Sequence, residues 1–246
     1  MQQFFITADQ VAEGQIFVEG PDVNHIKNVL RMREGELAYF VAGDNLRYTA
    51  AYAGMRGEAA VFSVTAKETS TTELPVRITL FQGIPKGDKL EWITEKCVEL
   101  GVYRIVPVAM RRSVRKIEKK KEAQVIRHLN GIAESAAKQA KRAVIPEVTG
   151  VMDLASALHF AKEEGMRLLL PYELESGIEK TRELLGSLKK GEALGIFIGP
   201  EGGFDKEEAD RISESGGERL TLGKRILRTE TAGMALLSVL AYLLEE

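Results

Sequence analysis

The spacing of hydrophobic residues along the chain changes near residue 72. Before this point, short apolar runs alternate with turns rich in Gly and Asp, a pattern typical of a small β-barrel or sandwich. One helical stretch interrupts these runs, because Val23, Ile26, Val29 and Leu30 recur at helical spacing. The strand-like runs are QFFI, QIFV, ELAYFV, LRYTAAY and AAVFSVT.

Strand-like and helical stretches alternate after the polar segment KETSTTELP, which we interpret as a linker. This alternation predicts an α/β domain with a parallel sheet that helices cover on both faces. The predicted domains are residues 1–72 and 73–246. The strand-like runs are VRITLFQ, YRIVPV, RLLLP, ALGIFI and ERLTL, and helices are predicted over about 88–100, 118–141, 153–164, 177–188, 205–215 and 229–244.

Three of these helices carry a sequence signal at their start. Asp205 followed by Glu208 predicts a capping box, in which each side chain accepts a hydrogen bond from the other residue's backbone N–H. Asp153 and Thr229 are candidate N-caps, because their side-chain oxygens suit the unpaired N–H groups of a first turn.

Three loops that follow predicted strands are candidates for a ligand site, because open parallel sheets bind ligands beyond the carboxyl ends of their strands. They are LLLPYELES, IGPEGGF and LGKRILRTETA. A dinucleotide fingerprint and a P-loop are both lacking, since Gly223 and Lys224 are followed by Arg225. Glu201 disfavours a polyphosphate, which a carboxylate repels, and favours a ligand with a positive centre. A tight structural turn, with glycines at positive φ, is the alternative.

Composition narrows the class of protein. With 246 residues, 44% of them hydrophobic, the chain can bury a substantial core. The apolar stretch MALLSVLAYLL is shorter than the about 20 residues of a membrane span, so we expect a cytoplasmic protein without a membrane partner. Cys97 falls with Ile93 and Leu100 on the apolar face of a predicted helix, where burial is the usual outcome. The three histidines lie far apart, so no metal site is expected.

The net charge of −2 conceals a basic middle segment. Residues 74–145 carry 16 basic and 7 acidic side chains, concentrated in RRSVRKIEKKK and KQAKR. Such a segment indicates contact with nucleic-acid phosphates. A solvated, charge-rich helix face is the alternative interpretation.

Several stretches together resemble the bacterial small-subunit (16S) ribosomal RNA (uracil-N3)-methyltransferases of the SPOUT superfamily. They are KGDKLEWITEKCVELGV, RSVRK, IGPEGGF and LGKRILRTETA, and HIKNVLRMREGE resembles part of that family's N-terminal PUA-like domain. The resemblance covers essentially the whole chain. It implies a PUA-like β-barrel RNA-binding domain, then a SPOUT α/β domain whose last segments form a deep trefoil knot.

The resemblance implies that S-adenosyl-L-methionine binds against the three loops, where glycines let the backbone approach it closely. Arg228 is the candidate that stabilises the anion formed when uridine N3 loses its proton. Glu201 and Glu230 are candidate proton acceptors, with an N-cap or packing role as the alternative. The expected cofactor-binding residues are Leu170, Tyr172, Gly199, Pro200, Glu201, Gly202, Leu222, Gly223, Ile226, Leu227 and Thr231.

The resemblance also implies RNA contacts, but with departures from the family pattern. The family usually has an arginine near the position of Gln3, and a glutamate and a serine where this chain has Ser135 and Ala140, which puts particular contacts in doubt. His25 suits packing within the small domain as well as it suits RNA. The expected RNA-binding residues are His25, Arg31, Arg112, Ser113, Lys116, Gln139 and Arg142.

The resemblance implies a homodimer, and the final predicted helix gives an independent indication. That helix is apolar on nearly every side, so we expect burial by its own domain and by a second copy, with wholly intramolecular burial as the alternative. The predicted function is methylation of N3 of a uridine in 16S ribosomal RNA, within the small ribosomal subunit. Two alternatives stay open: a non-catalytic RNA-binding or ribosome-assembly protein, and methylation of another nucleoside or of transfer RNA.

Overall fold

The computed structural model describes residues 1–43 and 46–245. The chain forms two compact units, each with its own sheet. The N-terminal unit contains Met1–Glu73 together with Ala137–Val144. The C-terminal unit contains Leu74–Ala136 and the chain from Ile145 onward.

The N-terminal unit is built on a six-stranded sheet, as the alternating pattern predicts. In the described chain its order is β1-β4-β5-β6-β3-β2, and all neighbours are antiparallel except β1 and β4. Aromatic rings form the centre of its core, with the Phe40 ring 5.5 Å from that of Phe4 and 4.7 Å from that of Phe62. The strands are β1 (Gln3–Phe5), β2 (Val11–Ala12), β3 (Gln15–Val18), β4 (Leu37–Val41), β5 (Leu46–Arg56) and β6 (Ala59–Thr69).

The helical stretch of this unit is present but has an unexpected winding. A short α-helix, α1 (Pro21–Asn24), continues as a π-helix over His25–Leu30. A π-helix bonds i to i+5, so residues spaced for a 3.6-residue turn no longer share a face. Ile26 is fully buried, whereas Val29 is 62% exposed. The prediction that these two residues lie on one face of a helix is therefore wrong.

The C-terminal unit is built on a parallel sheet of seven described strands, which confirms the α/β prediction. The order is β10-β8-β7-β12-β11-β13, and β9 pairs with β8. The strands are β7 (Arg77–Gly83), β8 (Arg104–Ala109), β9 (Glu147–Val148), β10 (Met152–Asp153), β11 (Arg167–Pro171), β12 (Ala193–Ile198) and β13 (Glu218–Leu220). The helices are α2 (Lys89–Glu99), α3 (Lys119–Gln139), α4 (Leu154–Glu163), α5 (Ile178–Gly186), α6 (Lys206–Glu214) and α7 (Thr229–Leu244).

Two of the three predicted helix starts are confirmed. The Asp205 carboxylate accepts a hydrogen bond from Glu207 N–H at 3.1 Å within a capping box at the start of α6. The Asp153 carboxylate accepts one from Ser156 N–H at 2.7 Å at the start of α4. Thr229 as an N-cap is wrong, because α7 already begins there and Arg228 holds the cap position. No helix in residues 1–43 and 46–245 is long and apolar enough to cross a membrane.

Candidate active site

The three candidate ligand loops meet at one edge of the parallel sheet. They follow β11, β12 and β13, which are neighbours in the order β12-β11-β13. Together they line a cavity of about 410 Å³, a volume that suits a small-molecule ligand. Of the expected cofactor-binding residues, eight line it: Tyr172, Gly199, Pro200, Glu201, Leu222, Gly223, Ile226 and Leu227.

Three expected cofactor residues lie outside this lining, as far as the described chain shows. Leu170 is fully buried in the core under the cavity edge of β11. Gly202 packs against the Arg112 side chain, since a Cβ at Gly202 would lie 3.1 Å from Arg112 Cβ. Thr231 is exposed in the first turn of α7. Cofactor contact by these three residues stays a prediction.

The protein's own packing requires two glycines beside the cavity. A Cβ at Gly199 would lie 3.0 Å from the carbonyl carbon of Gly203 and 3.1 Å from Phe204 N. A Cβ at Gly83, at the end of β7, would lie only 2.6 Å from Pro200 N. These contacts account for both glycines without a ligand. The alternative of a tight structural turn therefore explains Gly199 as well as close approach to a cofactor does.

A buried polar network joins α7 to the strands beneath the cavity. The Thr229 hydroxyl donates a hydrogen bond to the Gly199 carbonyl at 2.6 Å. Gln82 is fully buried at the end of β7, and its Nε2 donates to Thr229 Oγ1 and to the Gly83 carbonyl, each at 2.9 Å. Thr229 also lines the cavity, so this network fixes part of its wall.

The carboxylate of Glu201 is held by the segment that starts α2. Its Oε1 accepts hydrogen bonds from Lys86 N–H and from Lys89 Nζ, each at 3.0 Å. Lys89 Nζ also lies 3.3 Å from Glu230 Oε2. Burial raises the pKa of the Glu201 carboxyl, but these hydrogen bonds more than offset it and hold the pKa below its usual range.

Two consequences follow for the expected role of Glu201. The positive centre beside its carboxylate is Lys89, so the charge of Glu201 does not require a cationic ligand. A carboxylate with a lowered pKa is also a weaker base. Glu201 and Glu230 as proton acceptors stay predictions. The contacts of Glu201 favour a structural role, whereas Glu230 Oε2 is buried near Lys89 without a hydrogen bond among the described residues.

Arg228 is one of three exposed cations of the cavity that have no partner in the described chain, with Lys224 and Arg225 in the same loop. It lines the cavity from the N-cap position of α7, and its side chain is exposed. Within residues 1–43 and 46–245, no hydrogen bond or ion pair holds its guanidinium. Arg228 therefore has the position and the free donors that the stabilisation of an anion requires.

The expected basic RNA loop lies against the loop that follows β12. Arg112 Nη1 donates a hydrogen bond to the Gly202 carbonyl at 3.0 Å. Ser113 is half-buried, and its Oγ has no hydrogen-bond partner among the described residues. Lys116 is exposed. The loop thus offers Lys116 to a ligand, while Arg112 already contacts the loop that follows β12.

Arg142 is not placed as an RNA contact requires. Its side chain is buried in the N-terminal unit, with Nε 3.2 Å from Glu73 Oε1. The same carboxylate oxygen accepts a hydrogen bond from Ala143 N–H at 2.8 Å, and Gln3 Nε2 donates to the Arg142 carbonyl at 2.7 Å. The buried ion pair with Glu73 explains this arginine, whereas Gln139 is exposed and accessible.

The remaining expected RNA residues lie in the N-terminal unit. The His25 ring packs edge-on against Phe4, with ring centroids 6.3 Å apart, which favours the packing alternative. Arg31 is exposed where the π-helix ends, and its φ is 52°. Ser135 is exposed and Ala140 is half-buried, so neither departure from the family pattern disturbs a buried contact.

Sequence reasoning missed Lys89 and Gln82. Gln82 stands out as the polar residue at the end of an apolar strand, but its partner Thr229 is 147 residues away. Lys89 lies in KGDKLEW, where nothing local indicates that it pairs with two glutamates. Contacts between distant segments leave no periodic signal in a single sequence, so neither role could be predicted.

The burial expected for Cys97 is confirmed. The side chain is fully buried on α2, and burial raises the pKa of its thiol to about 12. A thiol with this pKa is no nucleophile near neutral pH. In the described part of the chain, no three His, Cys, Asp or Glu side chains come together as metal ligands would.

Comparison with known families defines the class of protein. The family model described as an RNA methyltransferase domain matches residues 72–241. A second model, described as an RNA methyltransferase PUA domain, matches residues 18–64. The fold and the site are thus those of an RNA methyltransferase with an N-terminal PUA domain. The chain belongs to the ribosomal RNA small subunit methyltransferase E family, as the resemblance of its motifs predicted.

Individual relatives agree with this assignment over the whole chain. Ribosomal RNA small subunit methyltransferase E of Bacillus subtilis is 35% identical over 98% of this chain and 96% of its own. A crystal structure of the Neisseria gonorrhoeae protein of that name, bound to S-adenosyl methionine, is 30% identical with a TM-score of 0.82, covering 99% and 98%. A crystal structure of a hypothetical protein is 33% identical with a TM-score of 0.91, covering 99% of both chains.

Proposed function

We propose that this chain transfers the methyl group of S-adenosyl-L-methionine to N3 of a uridine in 16S ribosomal RNA. The observation that carries the proposal is the convergence of three loops on a cavity at which Arg228 keeps its guanidinium free. The named relatives support ribosomal RNA as the substrate, and the bound Neisseria structure supports the cofactor.

The cavity suits this cofactor chemically. Leu222, Ile226 and Leu227 give an apolar surface for an adenine ring. Glu173 lines the same cavity with an exposed carboxylate, which suits ribose hydroxyls or an ammonium group. When bound, the cofactor supplies an electrophilic methyl group on a positively charged sulfur.

Residues of the chain must make the uridine a nucleophile, because N3 carries a proton and attacks poorly until the proton is lost. Arg228 would stabilise the negative charge that develops on the uracil ring. The walls of the cavity would hold N3 in line with the methyl group, which removes much of the entropic cost of reaction. Glu201 and Glu230 remain the candidate proton acceptors, although Lys89 already binds both.

The proposal is tested by incubating the protein with labelled S-adenosylmethionine and small ribosomal subunits that lack the modification. Label recovered as 3-methyluridine after nuclease digestion is the expected result. Binding of cofactor and RNA without label in the RNA would instead establish the non-catalytic alternative. Label in another nucleoside, or only in added transfer RNA, would establish the third possibility.

The two domains divide this work. We assign RNA binding to residues 1–72, with Arg31 as a contact, and cofactor binding, knot and dimerisation to residues 73–246. In the second domain, Lys116 and the exposed basic start of α3 would contact phosphates, which fix register and do not read sequence. A ribosomal RNA substrate agrees with a protein of the bacterial cytoplasm that needs no membrane and no metal.

We also propose a homodimer, in which α7 contacts a second copy. Six of its residues are buried within the chain, but Val239, Tyr242 and Leu243 are 42%, 85% and 50% exposed. Wholly intramolecular burial therefore does not account for this helix. Exposed apolar side chains along one helix are typical of an interface between subunits.

A further inference from the structure

Lys89 connects two walls of the cavity. It is the first residue of α2, and its side chain lines the cavity. Its ammonium lies 3.0 Å from Glu201 Oε1, in the loop after β12, and 3.3 Å from Glu230 Oε2, in the first turn of α7. One side chain therefore ties together three segments that are far apart in sequence.

The surroundings of Lys89, Glu201 and Glu230 strengthen the contacts among these three side chains. The side chains of Lys89, Glu201 and Glu230 are 32%, 25% and 18% exposed, so the group is partly shielded from water. Exposed single ion pairs contribute little, but a shielded network with charge-assisted hydrogen bonds holds its geometry better. The Lys86 N–H adds a backbone hydrogen bond to Glu201 Oε1 at 3.0 Å, so that carboxylate is held from two directions.

The residues next to these glutamates are those that shape the cavity. Glu201 follows Pro200, which packs against Gly83, and Glu230 lies two residues after Arg228. The same two walls are joined beneath by the hydrogen bond from the Thr229 hydroxyl to the Gly199 carbonyl. Two linkages at different places prevent the loop from rotating about either one.

We infer that Lys89 is a positioning residue for methyl transfer, which fixes the loop 199–204 and the start of α7 at the separation that the cavity needs. Lys89 acts through Glu201 and Glu230 and does not itself contact the reacting atoms. It also engages the two carboxylates that would otherwise be free to accept the uridine proton. The effect that this inference predicts on methyl-transfer kinetics rests on the proposed function. The effect that it predicts on the loop and on the start of α7 can be measured without cofactor or RNA.

The first experiment compares hydrogen exchange in cofactor-free wild type, Lys89→Met, Lys89→Arg and Lys86→Met. Lys86→Met is the matched control, since Lys86 contacts Glu201 through its backbone N–H, which the substitution keeps. We expect the amides of Gly203, Thr231 and Ala232, which donate backbone hydrogen bonds, to exchange about tenfold faster in Lys89→Met, corresponding to about 1.4 kcal/mol. Lys89→Arg should restore most of the protection. Unchanged exchange in Lys89→Met would overturn the inference.

The second experiment measures methyl transfer by the same variants. We expect Lys89→Met to raise the KM for S-adenosylmethionine about tenfold and to leave kcat at saturating cofactor within about threefold. A fall in kcat with an unchanged KM would contradict a positioning role. If the wild type transfers no methyl group while the exchange result holds, the positioning role stands and the proposed function is wrong.

A double-mutant comparison keeps the inference testable if Lys89→Met fails to fold. Glu201→Gln alone should speed exchange in residues 199–204, because it weakens the same ion pair from the other side. Lys89→Gln combined with Glu201→Gln should then speed this exchange by less than the product of the two single effects, since both changes break one contact. Fully additive effects would overturn the inference.

Discussion

At the scale of single residues, the proposed chemistry depends most on Arg228. Its guanidinium lines the cavity without a partner among the described side chains, whereas Glu201 and Glu230 already share Lys89. The proposed site therefore offers Arg228 as a free cation for the developing uridine anion, with the exposed Lys224 and Arg225 in the same lining. Loss of such a donor costs catalysis far more than it costs binding.

Arg228→Ala should lower kcat for methyl transfer by about 100- to 1,000-fold and change the cofactor Kd by less than about threefold. The reason is that the anion exists only in the transition state. Calorimetry with S-adenosylmethionine and single-turnover transfer would measure the two effects. Arg182→Ala is a matched control, because Arg182 is exposed on α5 outside the cavity lining. Transfer near the wild-type rate by Arg228→Ala would remove it from the mechanism.

Cys97 should be inert in the folded protein, because burial raises the pKa of its thiol to about 12. At pH 8 almost no thiolate is present, so iodoacetamide should not label the native protein. The same protein unfolded in urea should be labelled fully, as mass spectrometry would show. Cys97→Ala should retain methyl transfer. Rapid labelling of the native protein, or loss of transfer in soluble, folded Cys97→Ala, would contradict a structural role.

The sequence predicted which residues lie at the cavity, but it did not predict the role of each residue. Tyr172, Leu222 and Leu227 were expected there from their motifs, and they line it. Arg142 was expected at RNA from the family resemblance, yet it is buried against Glu73. A charge in a sequence predicts exposure by default, and only the folded chain reveals a buried partner.

At the scale of elements, hydrophobic periodicity predicted the second unit well. All six of the helices predicted there are present, as their hydrophobic spacing indicated. The π-helix over His25–Leu30 and the two-residue strands β9 and β10 were missed. The π-helix has more residues per turn than the 3.6 that the pattern assumes. The two strands are too short to show any hydrophobic period. The trefoil knot stays a prediction.

Thr229→Val should lower the free energy of unfolding by about 1–3 kcal/mol, because the buried Gly199 carbonyl loses this donor and Gln82 Nε2 loses one of its two acceptors. Urea denaturation would measure it. Thr231→Val is the control, since Thr231 is exposed in the same helical turn. Equal stability of the two variants would show that the network contributes nothing.

At the scale of the whole molecule, the basic segment is divided between the two units. RRSVRKIEKKK lies in the C-terminal unit, whereas residues 138–142 pack with the N-terminal unit. The exposed cations at the start of α3 support the nucleic-acid interpretation, and the buried Arg142 supports a structural one for its own site. Composition alone could not distinguish the exposed cations from the buried one, because it counts charges without their surroundings.

The proposed homodimer predicts that Tyr242→Glu combined with Leu243→Glu yields a monomer, because buried carboxylates at an apolar interface are strongly unfavourable. Light scattering after gel filtration should give twice the chain mass of 27.2 kDa for the wild type and that mass for the variant. Leu174→Glu is the control, since Leu174 is also apolar and 76% exposed but lies outside α7. A monomeric wild type would contradict the dimer.

The central claim, that the cavity delivers a methyl group to N3 of a uridine, is tested most directly by locating the transferred group in RNA. Small subunits would be treated with protein and S-adenosylmethionine carrying a deuterated methyl group, then analysed by mass spectrometry and reverse transcription. A methyl group on N3 blocks base pairing, so we predict one deuterated uridine in 16S ribosomal RNA that also stops reverse transcriptase. A deuterated methyl group on uracil carbon or ribose, or none in the RNA, would contradict the account.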